Sequence, residues 1–306
     1  MRWIPLLILI VSAAALADEN DLQLWKLGHP DPLTCTRCDG LPGDTAEPAT
    51  PGAQARFHRL ASTLGLAFAP RFQETAGTLG QSGFEMGFSS AEAFLRLPAD
   101  SWAAASAAPP SVLTLPTVTL RKGLGGSVEL GAAVSWLAKS QMTALSVQIR
   151  WALLDGLAWS PDLAVRAWGT RVLGTQELDL TVAGADLQLS KSFGVAGMFK
   201  LQPWAQGGIA LVNALSSVVD FKPAAENGAN PTADDGVFHT VLLTDNRYLR
   251  AALGLRLVAG AVVLGLEGGV AWGTNPIQHD NLAGGVAPPA NYVRLWSSSA
   301  TLGFTF

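Results

Sequence analysis

Cys35-Thr36-Arg37-Cys38 holds both cysteines of the chain. A C-x-x-C spacing suits a redox couple, half of a metal site or a haem attachment. Haem attachment needs a His directly after the second Cys, and Asp39 stands there. A tetrahedral zinc site needs two further ligands; His29 is the nearest in sequence, on a link stiffened by Pro30 and Pro32. No β-α-β pattern of the thioredoxin kind surrounds the pair. In an oxidising compartment Cys35 and Cys38 form a local disulfide, which is the expectation carried forward. No metal and no cofactor is expected.

The other histidines are His58, His239 and His279. His239 and His279 fall in polar stretches near Asp234, Asp235 and Asp280. Ser/His/Asp chemistry needs a nucleophile, base and orienting carboxylate brought together, and no G-x-S-x-G elbow is present to supply the nucleophile. Asp and Asn in the segment 226–236 have no regular EF-hand spacing for calcium. The chain is therefore read as a non-enzyme with no catalytic residue assigned.

A third set recurs at alternate positions of apolar stretches: Glu85, Glu129, Arg150, Arg166, Lys200, Arg250, Arg256 and Glu267. Their chemistry depends on what lies between them. Strand side chains alternate between two faces. Val128, Leu130, Ala132, Val134 and Trp136 alternate with Ser127, Glu129, Gly131, Ala133 and Ser135; Leu145, Val147, Ile149 and Trp151 alternate with Ser146, Gln148 and Arg150. The same pattern recurs around Phe199–Ile209, Leu249–Leu257 and Val262–Trp272. Weaker alternation covers Phe84–Phe88, Thr117–Arg121 and Leu163–Trp168. From Leu178 to Leu189 the apolar face changes sides, which predicts a bulge. About ten strands result, each near the roughly 9–11 residues that cross a membrane at a tilt.

Composition agrees with strands in lipid. Hydrophobic residues make up 49% of the chain and charged residues only 14%, against about 25% in soluble domains. The apolar stretch 249–270 contains Arg250, Arg256 and Glu267, so it is not a membrane helix. A closed barrel is the other backbone arrangement that satisfies every polar group in lipid. In such a barrel the apolar faces point outward and the charged set lines the lumen, either paired and filling a narrow interior or lining a polar pore. The set has five cations and three anions, so a pore prefers anions. Trp136, Trp151, Trp272 and Trp296 fall near strand ends, where aromatic girdles meet the two interfaces. A net charge of −4 gives no reason to expect a nucleic-acid partner.

The chain divides into three. Residues 1–17 read as a secretory signal peptide, with Arg2, an apolar run from Ile4 to Val11, and Ala15-Leu16-Ala17 before Asp18. Residues 18–78 read as a periplasmic linker with a helix. Within it Asp39 to Gly52 is turn-rich, and Phe57, Leu60, Leu64 and Phe68 recur at helical spacing before Pro70. This helix either rests against the barrel mouth or enters the lumen as a plug. Residues 79–306 form the barrel.

Trp296, Ser298, Ala300, Leu302, Phe304 and Phe306 share one face, and the sequence ends at Phe306. The ending Thr301-Leu302-Gly303-Phe304-Thr305-Phe306 resembles the C-terminal signature of Gram-negative outer-membrane β-barrels. That resemblance implies an all-β, antiparallel transmembrane barrel in the bacterial outer membrane, with lipid around it. It also implies recognition of Trp296, Leu302, Phe304 and Phe306 by the barrel-insertion machinery. The segments 120–124, 161–166 and 190–195 are similar to segments of poorly characterised barrels of about ten strands, a likeness that carries no activity. With the C-terminus in the periplasm, the tight links at 122–126, 192–196 and 258–261 fall on that side. The long links at 93–111, 214–246 and 273–292 fall outside, the expected asymmetry. Two function classes stand: a small pore or conduit for a small or lipid-like solute, and a non-conducting barrel that binds through its outer loops.

Overall fold

The computed structural model describes residues 21–33, 47–95, 101–102, 110–157, 159–195, 197–223, 232–244, 246–275 and 291–306. The stretch 1–17 read as a signal peptide, and Cys35, Cys38 and His279, lie outside them. Ten antiparallel strands carry the architecture: β1 (Phe84–Phe94), β2 (Val112–Gly123), β3 (Val128–Trp136), β4 (Thr143–Leu154), β5 (Asp162–Leu173), β6 (Leu178–Ser190), β7 (Phe199–Ser216), β8 (Arg247–Ala259), β9 (Val262–Asn275) and β10 (Asn291–Thr305). Each is paired with its sequence neighbours, and β10 pairs back onto β1 from Glu85↔Thr305 to Phe94↔Trp296. Phe84 and Phe306 exchange backbone hydrogen bonds of 2.8 and 3.0 Å at the end of that seam. The sheet is thus a closed barrel without a free edge.

Alternation sets the two faces. On β4, Leu145, Val147, Ile149 and Trp151 are exposed while Ala144, Ser146, Gln148 and Arg150 are buried. Similar outward apolar rows continue around the wall, among them Phe84, Met86 and Phe88 on β1 and Leu249, Leu253 and Leu255 on β8. So continuous an apolar surface is stable against lipid rather than water. The chain has the fold of an outer-membrane barrel.

The two ends differ. One, the turn end, has the tight links 124–127, 155–161, 191–198 and 260–261, and holds both Phe84 and Phe306. The other, the loop end, has the long links 95–111, 217–246 and 276–290, with short ones at 137–142 and 174–177. Within 217–246, Val219–Asp220 pairs with Asp235–Gly236 as a small ribbon.

The segment before β1 does not stay with it at the turn end. Residues 21–33 and 47–52 lie at the loop end: Asp21 accepts from Ser140 and Gln141, and the Leu24 amide donates to Glu177 at 2.6 Å. Helix α1 (Ala53–Phe68) then descends inside the barrel, and residues 70–83 run through the interior to the turn end. Of the two expectations for the helix, the plug is therefore the one observed, and the position against the mouth is corrected. The physical reason is a matched apolar lining. Phe57, Leu60, Leu64 and Phe68 pack with Leu113, Leu115, Leu180, Val182, Val212 and Leu295 from the inner wall. Burying each such side chain is worth about 1.5–3 kcal/mol.

The same lining explains the segment from Leu178 to Leu189. No bulge occurs there; the register of β6 with β5 and with β7 is unbroken. Leu178, Leu180 and Val182 point inward onto the helix, whereas Leu187 and Leu189 point outward. The apolar face changes sides because the interior itself is apolar at one end and polar at the other. A register shift does occur between β4 and β5, at Ala152 and Leu154.

Candidate functional site in the barrel interior

Below the helix the interior is charged, and its centre is Glu74. This residue lies on the threading segment and is 1% exposed. Its Oε2 is 2.8 Å from Arg121 Nη1 and 3.8 Å from Arg150 Nε, and its Oε1 is 3.2 Å from Arg166 Nη1. Gln148 and Gln188 donate to the same carboxylate at 3.0 and 3.3 Å. Five side chains from β2, β4, β5 and β6 thus converge on one group from another part of the chain. A buried carboxylate is tolerated only with such pairing, because its desolvation costs several kcal/mol.

Around this centre the wall charges pair with one another. Arg121 reaches Glu85 at 2.5 Å and Glu129 at 3.4 Å; Arg150 reaches Glu129 at 2.7 Å. Arg166 pairs with Asp186 at 2.5 Å, and Trp168 Nε1 donates to Asp186 at 2.8 Å. Arg256 bonds Glu85. Arg250 lies 3.7 Å from Asp186, stacks over Trp168 and donates to the Pro70 carbonyl at 3.2 Å. Glu267 interacts with the charges of Arg71, Arg250 and Arg166.

The threading backbone is also gripped. Arg150 donates to the Thr75 and Gly77 carbonyls. Ser190 accepts from the Ala76 amide at 2.9 Å, Asp155 from Thr78 at 3.1 Å, and Glu129 from Leu79 at 2.5 Å. Gln73 donates to Ser299 at 2.5 Å.

Of the eight charged residues read from the sequence, Glu85, Glu129, Arg150, Arg166, Arg250, Arg256 and Glu267 come together inside the barrel, while Lys200 is exposed at the turn end. Four described members are not among them: Arg71 and Glu74 lie in the stretch read as linker and helix, Arg121 ends a stretch of weak alternation, and Asp186 falls where a bulge is predicted. The excess of cations over anions in the sequence-derived set was the available signal, since buried arginines need carboxylates from somewhere. The anion preference expected for a pore rested on that excess. With Lys200 at the mouth, the described interior sets Arg71, Arg121, Arg150, Arg166, Arg250 and Arg256 against Glu74, Glu85, Glu129, Asp186 and Glu267, which is close to balance.

At the loop end the plug is tied by longer-range contacts. Gln54 exchanges hydrogen bonds of 2.8 and 3.0 Å with the His239 backbone, and Phe57 stacks on Phe238 at 4.6 Å. His239 lies 3.3 Å from Asp31, and Glu47 pairs with Lys222 and lies 3.9 Å from His29. The Lys222 hydrogen bond holds the Glu47 carboxyl below the usual carboxylate range. Carboxylate oxygens of Asp220, Asp234 and Asp235 lie within 4.8 Å of one another in the same loop. Tyr248 donates to Ser62 at 2.6 Å between wall and helix. Tyr248→Phe is expected to lower the stability of the folded protein by about 0.5–1.5 kcal/mol, read as a lower urea midpoint with the barrel otherwise intact.

The outward row of β10 is at the closing seam, with Trp296, Leu302, Phe304 and Phe306 exposed. Trp136 and Trp151 are also exposed, towards opposite ends of the barrel.

No protein-family model matches the chain, and no curated protein matches it. Solved outer-membrane proteins are similar to it in structure. The N-terminal β-barrel domain of Pseudomonas aeruginosa OprF is 12% identical, covers 74% of this chain and 99% of its own, and has a TM-score of 0.29. P. aeruginosa OprG is 12% identical, with coverage of 76% and 99% and a TM-score of 0.30. The Escherichia coli outer membrane protease OmpT is 8% identical, with coverage of 73% and 95% and a TM-score of 0.36.

Proposed function

We propose that the protein is a non-conducting outer-membrane barrel, sealed by its own N-terminal segment, whose loop end is a binding surface. The observation that carries this reading is Glu74, buried in the lumen and held by three arginines and two glutamines of the wall. A conduit requires residues 53–83 to leave, and leaving exposes arginines that have lost their central partner. At the loop end residues 21–33 and 47–52 join 217–223 and 232–244 in one folded crown, through Asp31 to His239 and Glu47 to Lys222.

With the C-terminal strand entering from the periplasm, the loop end faces outward and residues 21–33 and 47–52 lie at the cell surface rather than in the periplasm. Pro32 is exposed there. A Pro32→Cys variant in a chain lacking Cys35 and Cys38 is expected to react with a membrane-impermeant maleimide on intact cells. Reaction only after the outer membrane is permeabilised would place this end inside and overturn the reading.

The C-terminal row is proposed as the insertion signal. Phe306 also supplies both backbone hydrogen bonds to Phe84 at the seam. Deleting Phe306 is expected to lower the amount of folded, heat-modifiable protein in the outer membrane several-fold, with unfolded chain accumulating; unchanged abundance would contradict the assignment.

A further inference from the structure

A cavity of about 530 Å³ opens at the turn end of the barrel, below the threading segment. Its β7–β8 wall carries Lys200, Gln202 and Arg256, with Ser192 beside them. Gln202 and Arg256 are register partners, and Lys200 is one inward position further towards the mouth. Arg256 is 4% exposed, its Nη2 bonds Glu85, and its Nε has no hydrogen-bond partner. Glu85 is shared with Arg121 at 2.5 Å, so Arg256 holds only part of one carboxylate. Among the described residues Lys200 has no ion pair, and it is exposed to the cavity mouth. Two cations with unspent charge therefore line one wall.

Asp155 and Asp162 also line the cavity, from β5 and the link before it. Their carboxylates are engaged: Asp155 accepts from the Thr78 amide at 3.1 Å and Asp162 from the Gly156 amide at 3.0 Å. In formal charge they match Lys200 and Arg256, which disfavours a large polyanion. The remaining capacity suits a small oxyanion, bound by charge-assisted hydrogen bonds from an ammonium and a guanidinium, with the Gln202 and Ser192 side chains alongside.

We propose that Lys200 and Arg256 form a binding site for a phosphate-sized oxyanion at the turn end of the barrel. The oxyanion is either free phosphate or the phosphomonoester headgroup of a lipid. The site is separate from the crown at the loop end and adjoins the Glu74 network through Glu85 and Arg121.

The intact chain, refolded in an uncharged maltoside detergent, is titrated with inorganic phosphate by calorimetry. Saturable binding that weakens about tenfold in Lys200→Gln is expected, from the loss of one charge-assisted hydrogen bond. Lys200 is exposed, so this variant tests the site without disturbing the core; Arg256→Gln is expected to act in the same direction if it folds. In a second arm, the reactivity of Lys200 towards an amine-selective reagent is read by mass spectrometry in nanodiscs with and without phosphatidic acid. Phosphate binding in the first arm assigns a soluble ligand. Protection of Lys200 by phosphatidic acid without phosphate binding assigns a lipid headgroup. No binding in either arm, or equal phosphate binding by wild type and Lys200→Gln, overturns the proposal.

Discussion

Replacing Glu74 by Ala is expected to destabilise the folded protein by about 3–5 kcal/mol, the range for breaking a buried ion pair by removing one partner. Arg121, Arg150 and Arg166 all contact this carboxylate, and all three are at least 97% buried as side chains. Arg121 and Arg150 fall back on Glu129, and Arg166 on Asp186, but the wall is left with more cation than anion. The urea midpoint should fall sharply. The threading segment should also loosen, because its central anchor is gone and the grips on Pro70, Gln73 and the backbone of Thr75 to Leu79 must hold it without the Glu74 ion pairs. In a planar bilayer the variant is expected to show conductance steps that prefer anions. Glu74→Gln keeps the shape and one acceptor and should lose less. A Glu74→Ala protein as stable and as silent as wild type would remove Glu74 from the centre of the account.

Gly65→Leu is expected to drive helix α1 out of its seat. A Cβ built on Gly65 falls 3.0 Å from both methyl groups of Val212 and 3.1 Å from Val182. These valines belong to β7 and β6, paired on both sides, so the wall cannot yield as a flexible side chain would. Overpacking of this kind costs about 1–3 kcal/mol even when the core adjusts, and the added isobutyl group enlarges the clash. The readout is hydrogen exchange: amides of 53–68 should lose protection while those of β4 and β5 keep it. Adding Val212→Ala should restore protection in part, because it removes the two nearest atoms. Unchanged protection in Gly65→Leu would mean that the helix is not seated against this wall.

The barrel was legible because its signal is local and repeated. The outer row on β4 and the terminal row on β10 declare a strand and its lipid face within ten residues. The plug was legible only in halves. Phe57, Leu60, Leu64 and Phe68 announce an amphipathic helix, but helical spacing does not say what the apolar stripe meets. Its partner was present in Leu178, Leu180 and Val182, whose inward position looked like a broken strand because a lumen was assumed to be polar throughout. Glu74 was illegible for a different reason. It stands on an irregular segment, where no periodicity assigns a face, and its role exists only once four strands far away in sequence converge on it. Inward-facing arginines in excess of carboxylates were the trace it left in the strands. The direction of the N-terminal segment was misread because an even strand count fixes where β1 begins and says nothing of the residues before it.

A barrel that fills its own lumen passes no ions, which single-channel conductance of the refolded full-length protein in a planar bilayer measures. The expected result is a folded, heat-modifiable barrel that inserts and stays silent, with steps appearing in Glu74→Ala. Reproducible conductance steps from the intact wild-type protein would contradict it.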